Sequence, residues 1–316
     1  MKLITSLLAS VFLLSTTVAV AETRVTYKSA KTGSSYYQMA VEMAEAMKKG
    51  TDGDISITVE ESQGSVQNVM ESGIRQGNYV FTTPPALVGL AQSGKAMFEG
   101  KSNPAFEQIR ALFPIPSLTM HFVVANESGI VDFAGMEGKT ILLGKGSFGA
   151  TEGAKYLGLF DLEGKVELAE VELSNAVAAL KNGQIDGFVT AGSWPAPNVI
   201  EAAASTGVQV LSLDEEQIAA TGRTRMVIPA GTYTAQEDDI VTTSLPVVAY
   251  TSTAMDDDTA YQMTRTYWEQ KQAMAGTSAW WGSVDESLMS NLGQLHPGAI
   301  RYYDEVGMEL TAAQRQ

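Results

Sequence analysis

Cysteine is absent from the 316-residue chain, and histidine occurs only twice, as His121 and His296. Without thiols there is no disulfide framework, no thiolate nucleophile and no thiolate metal site. Two imidazoles are too few for a histidine-built zinc or copper centre. Basic residues are scarce as well: 21 Lys and Arg stand against 36 Asp and Glu, giving a net charge of −15 with no basic cluster. That balance disfavours nucleic acid and anionic membrane surfaces as partners. Long apolar runs are lacking beyond the N-terminus. The 45% hydrophobic content is too high for a disordered chain. At roughly 100–200 residues per domain, the length suits two domains or one large one.

The N-terminus carries an export pattern. Lys2 is the positive start, residues 3–14 are mostly apolar, and Ala19-Val20-Ala21 offers small residues at the A-x-A spacing. This predicts a signal peptide over 1–21, cleaved between Ala21 and Glu22, and a periplasmic mature protein. The apolar stretch is short for a bilayer span. Cleavage removes one basic and no acidic residue, leaving a net charge of −16.

Helical and strand periods then alternate. Residues 24–28 alternate polar and apolar as a half-buried strand does. Thr32-Gly33-Ser34-Ser35 supplies a turn and an N-cap. The helix after it has Tyr36, Ala40, Met43 and Met47 on its apolar face and ends at Gly50. Residues 55–59 read as a strand; Gly64-Ser65 opens a helix with Val66, Val69, Met70 and Ile74 on one side; residues 79–81 read as a third strand. A second block repeats the style, with a strand at 139–143, a glycine-rich turn at 144–149 and a helix from about Thr151. It continues with a helix capped by Ser174, a buried strand at 185–189, and strands at 208–213 and 247–250. The part after Met255 reads as mostly helical. Strands alternating with helices argue for parallel-rich α/β sheets, and two such blocks argue for two lobes.

One local design recurs. At Thr32 to Ser35, at Gly64-Ser65 and at Gly146 to Thr151, a strand ends in small polar residues and a helix begins. Helix N-termini present unpaired N–H groups and partial positive charge, and so hold carboxylates or phosphates without a charged side chain. Taken singly, each is more often a cap and tight turn. Their recurrence in both blocks points to one anion-binding cleft at the carboxyl ends of the strands.

Longer segments carry a resemblance. They include Thr32-Gly33-Ser34-Ser35-Tyr36-Tyr37, Glu61-Ser62-Gln63-Gly64-Ser65-Val66-Gln67-Asn68, Ile228-Pro229-Ala230-Gly231-Thr232-Tyr233 and His296-Pro297-Gly298-Ala299-Ile300-Arg301-Tyr302-Tyr303. In order and spacing, over nearly the whole mature chain, they resemble the TAXI group of solute receptors, which serve TRAP-type transporters. The resemblance implies a type II periplasmic-binding-protein fold, two α/β lobes joined by a hinge with a ligand cleft between. Lobe I would take 22–117 and 246–316, and lobe II 118–245, with hinge crossings near 117–124 and 228–248. It also implies a non-catalytic, monomeric protein without cofactor. Such a protein would capture a small carboxylate (a glutamate-like amino acid, 2-oxo acid or dicarboxylate) and deliver it to a TRAP-type membrane permease.

The resemblance carries Thr32, Gly33, Ser34, Ser35 and Tyr36 to a first ligand loop and Gly64, Ser65 and Asn68 to a second. Where the glutamate-type pattern ends its third strand in a Gln-Asn-Asp-like segment, this chain has Thr82-Thr83-Pro84, which replaces amides by hydroxyls. Gly146, Ser147 and Thr151 are the candidates from a glycine loop longer than the usual Gly-Ser-Gly-Thr. Ser193 and Trp194 come from a segment one residue longer than the family pattern. Trp194 is either an aromatic wall of the cleft or a core or lid residue. Near the return crossing, Arg223 and Arg225 are candidates to pair bidentately with a second ligand carboxylate, and Arg225 is the one carried into the site. The commoner reading of such an arginine is a solvated side chain. His121 reads as a satisfied core histidine near the hinge, and His296 as a residue that holds the C-terminal helix.

Other functions compete. A binding-only sensor for a membrane histidine kinase, or the receptor of an ATP-driven importer, would use the same fold and site. An exported hydrolase would need Ser147 at the centre of a Gly-x-Ser-x-Gly elbow, but Lys145 stands where the first glycine belongs.

Overall fold

A computed structural model describes residues 22–75, 77–144 and 147–316. The signal-peptide expectation at 1–21 and the candidate Gly146 lie outside the described residues. The first block follows the expected alternation: β1 (Thr23–Lys28), α1 (Ser35–Gly50), β2 (Ile55–Glu60), α2 (Ser65–Ser72), β3 (Tyr79–Thr83) and α3 (Pro85–Ser93). A 17-residue strand, β4 (Ile109–Ala125), leads into the second block of β5 (Thr140–Leu142), α4 (Phe148–Leu159), β6 (Glu167–Leu168) and α5 (Ala176–Lys181). That block continues with β7 (Gly187–Gly192), α6 (Pro197–Ser205), β8 (Val208–Val210), α7 (Glu215–Thr221) and β9 (Thr224–Ile228). The long β10 (Ile240–Ser252) returns to the first block, which α8 (Asp257–Thr277) and α9 (Pro297–Glu305) complete.

The ten described strands form one path, β2-β1-β3-β10-β4-β7-β5-β6, with β8 on β4 and β9 on β10. β1, β2 and β3 are parallel to one another, as are β5, β6 and β7. β4 and β10 run antiparallel between the two groups. β4 pairs with β10 from 109 to 119 and with β7 on its other edge from 119 to 124, so one strand belongs to both halves. At the changeover the β4–β10 register slips between Leu245 and Val247. Pro246 there, and Pro114 and Pro116 on β4, have no N–H to offer the ladder. The result is a curled sheet bearing two α/β lobes, the type II periplasmic-binding fold.

One large core cluster runs from the first block (Tyr27, Phe113, Tyr267) into the second (Phe122, Phe133, Tyr156). Within it the Phe113 and Tyr267 rings stack at 4.0 Å, and the Tyr267 hydroxyl donates to the Pro114 carbonyl at 2.6 Å. A smaller cluster in the second block buries Leu142, Phe188, Val199 and Ile228 fully. His296 caps α9 by accepting from the Gly298 amide, as its reading required.

Several boundaries differ from expectation. α2 stops at Ser72 because Gly73 ends it, which leaves Ile74 77% exposed rather than on the helix face. α4 starts at Phe148, three residues early, because Ser147 supplies the cap. Ser174 lies in a 3-10 turn, Leu173–Asn175, and α5 has no side-chain cap. β7 begins and ends later than 185–189, and β8 stops at Val210. The strand expected at 247–250 lies in the second half of β10. Its other half, with Thr242, Thr243 and Ser244, is polar in sequence yet buried, because the hydroxyls of Thr242 and Thr243 bond to Met120 O and Tyr156.

Candidate functional site

The loops after β1 and β2, the end of β3 and the N-termini of α1, α2 and α4 meet at one cavity of about 60 Å³. Ser34, Tyr36, Gly64, Ser65, Thr82 and Ser147, six of the expected residues, line it. Gly64 adopts φ +117°, a conformation that L side chains rarely take, and an added Cβ there would stand 4.0 Å from the Phe148 amide nitrogen. The amino ends of α2 and α4, one from each lobe, thus face each other across a narrow gap. Ser147 Oγ is spent as a cap, accepting from the Ala150 amide at 2.9 Å and donating to Gly144 O at 2.8 Å. The Phe148 and Gly149 amides in the first turn of α4 have no intrahelical partner and remain open to a ligand.

A network behind the cavity fixes its floor. Asn68, fully buried, donates to Ser29 O at 2.7 Å and to Thr82 O at 2.9 Å, joining the loop after β1 to strand β3. Thr82 Oγ1 lies 2.7 Å from the Tyr27 hydroxyl. The Tyr36 hydroxyl donates to Pro116 O at 3.0 Å, on the segment where β4 changes partners. Burial holds the Tyr36 phenol far above its ordinary pKa, so it stays a neutral donor.

The remaining expected residues sit elsewhere. Thr83 is buried in β3. Thr32 and Gly33 edge a smaller recess beside the main cavity. Ser35 and Ser193 bond to each other between the lobes. Trp194 faces a separate cavity with Trp280, and Thr151 is exposed on α4. Arg225 is a correction: it is exposed on β9 and pairs with Glu215 at 3.0 Å, away from the residues lining the cavity. Arg223 is committed to Glu152, with contacts of 3.0 and 2.8 Å.

The charged side chains that do reach the cavity were missed from sequence. Lys31, half-buried, has no ion pair among the described residues, and Glu172 stands at the rim. Lys31 adjoins the Thr32 turn, which was the available signal. Thr190, also lining the cavity, lies near the carboxyl end of β7, where ligands of α/β sheets gather.

Neither histidine lines the cavity. Burial brings the His121 pKa down to about 4, and its ring nitrogens bond to Tyr233 and Thr119 O. Among the described residues no three acidic or histidine side chains are grouped as a metal ion needs.

This architecture is that of periplasmic solute-binding proteins. The chain belongs to the NMT1-like family, whose family model matches residues 28–307. Its fold is similar to that of MatC from Rhodopseudomonas palustris, solved with bound malate, at 11% identity and a TM-score of 0.54, covering 82% of this chain and 89% of that one. It is also similar to the periplasmic binding protein BugD, at 10% identity and a TM-score of 0.53, covering 90% and 98%.

Proposed function

We propose that this chain is the solute receptor of a TRAP-type transporter of the TAXI group, capturing a small carboxylate in the interlobe cavity and delivering it to the membrane permease. The observation that carries the reading is the approach of the α2 and α4 N-termini, with Gly64 facing the Phe148 amide. Two converging helix ends supply N–H donors and partial positive charge from both lobes, so the ligand's carboxylate links them. Lys31 adds one mobile cation. The lobes, 22–117 with 246–316 and 118–245, close by bending where β4 and β10 change partners. Closure excludes water and strengthens every bond to the charged ligand.

The test is thermal unfolding of residues 22–316, unfolded and refolded to shed retained ligand, against glutamate, 2-oxoglutarate, malate and simple monocarboxylates. A ligand at about a hundred times its Kd stabilises by about 2.7 kcal/mol, which is a clear rise in Tm. A selective rise that Lys31→Met diminishes supports the reading. Flat curves across the panel, with no small carboxylate released on unfolding, sink it.

A further inference from the structure

Side chains on a strand alternate between its faces. On β4, Leu118 faces the interlobe cavity, while its neighbours Ser117 and Thr119 line a second cavity of about 420 Å³. Trp194 and Met226 wall this space from the second lobe, and Trp280 and Leu288 from the first. It therefore also spans both lobes, on the other face of the crossing strand. The two spaces differ in chemistry. Lys31 and Glu172 reach the first, whereas every described side chain lining the second is uncharged. Thr119 is 1% exposed, and its Oγ1 has no hydrogen-bond partner. An unpaired buried hydroxyl is unfavourable and gains from a guest that supplies a donor or acceptor.

We propose that this rear cavity is a second binding site, for a small uncharged aromatic molecule bearing one hydrogen-bonding group, and that its occupation favours closed lobes. Its volume falls within the range of small-molecule pockets, and two indole rings with a methionine thioether suit a flat apolar guest. The coupling is mechanical and rests on the hinge reading above. Bending that narrows the front gap widens the rear one, so the rear site is open when the front is shut. A rear guest is expelled as the lobes part. By linkage, each occupant then tightens binding of the other.

Indole serves as the probe, titrated calorimetrically into refolded residues 22–316 with no carboxylate present. Binding that weakens at least ten-fold in Gly282→Phe and several-fold in Thr119→Val is expected. Gly282 lines the cavity, and an added Cβ there meets nothing within 4 Å, so a larger side chain can start at the cavity edge without a clash at Cβ. Indole should also shrink the radius of gyration measured by small-angle X-ray scattering. No heat of binding, or undiminished binding to Gly282→Phe, overturns the site, and an unchanged radius with indole bound overturns the coupling. The carboxylate panel is read independently: carboxylate binding without indole binding removes only this proposal, and indole binding with compaction but a flat panel removes only the carboxylate assignment.

Discussion

Ser35 Oγ accepts the Ser193 amide proton at 2.9 Å across 158 residues of sequence, tying the start of α1 to the end of β7. The contact exists only while these elements touch. Ser35→Ala removes the acceptor and leaves a buried N–H unpaired, a loss of about 1 kcal/mol in the closed state. Affinity for the carboxylate that raises Tm most should fall about five-fold by calorimetric titration. Gly192→Ala should cost more, because its Cβ would lie 2.5 Å from Ser35 Oγ.

Tyr233 is a structural bridge. Its hydroxyl lies 2.9 Å from His121 Nε2 and accepts from the Ala196 amide at 3.0 Å. Tyr233→Phe strands both buried partners at once, so urea unfolding should show a loss of about 2 kcal/mol. An unaltered midpoint would show that neither bond matters to stability.

His121 also sets a pH dependence. Its folded-state pKa, about 4, lies below the unfolded value near 6.5, so the unfolded chain binds more protons between those limits. Stability is complete above pH 6.5 and declines as pH falls towards 4, by on the order of 3 kcal/mol. Burial lowers His296 in the same direction. His121→Gln should flatten the profile of urea midpoints between pH 6.5 and 4 while lowering stability at pH 7.

The two arginines should separate cleanly. Arg225 and Glu215 are 46% and 77% exposed, and surface pairs of this kind are worth little. Arg225→Ala should change carboxylate affinity less than two-fold. Glu152 is 6% exposed, and Arg223→Met leaves its carboxylate buried without its partner. A loss of about 3 kcal/mol in unfolding experiments is expected.

Two helix starts were legible in the sequence, because capping is local chemistry: Ser34 caps α1 through its side-chain oxygen, and Gly64 opens α2 with its own unusual φ, whereas the Ser147 cap was read three residues late and Ser174 caps no helix. The crossing strands were illegible for equally physical reasons. Prolines interrupt β4, and buried threonines make half of β10 look like a surface segment. Their burial depends on partners distant in sequence, Met120 O for Thr242 and Tyr156 for Thr243, 122 and 87 residues away. Arg225 misled because charge is visible in sequence and its nearest neutraliser, Glu215, is identified only by the fold. Lys31 was overlooked although it adjoins the Thr32 turn, because only the fold shows that it lacks an ion pair among the described residues.

The seat of β10 between β3 and β4 dictates an order of events in biosynthesis. A ribosome makes β1, β2 and β3 first, yet their sheet lacks the neighbour of β3 until residue 252 has been synthesised. The second lobe has all of its parallel strands in one uninterrupted stretch and is ready earlier. The half of the molecule begun first is therefore finished last, and the nascent N-terminal segment must wait with an open strand edge for its C-terminal complement.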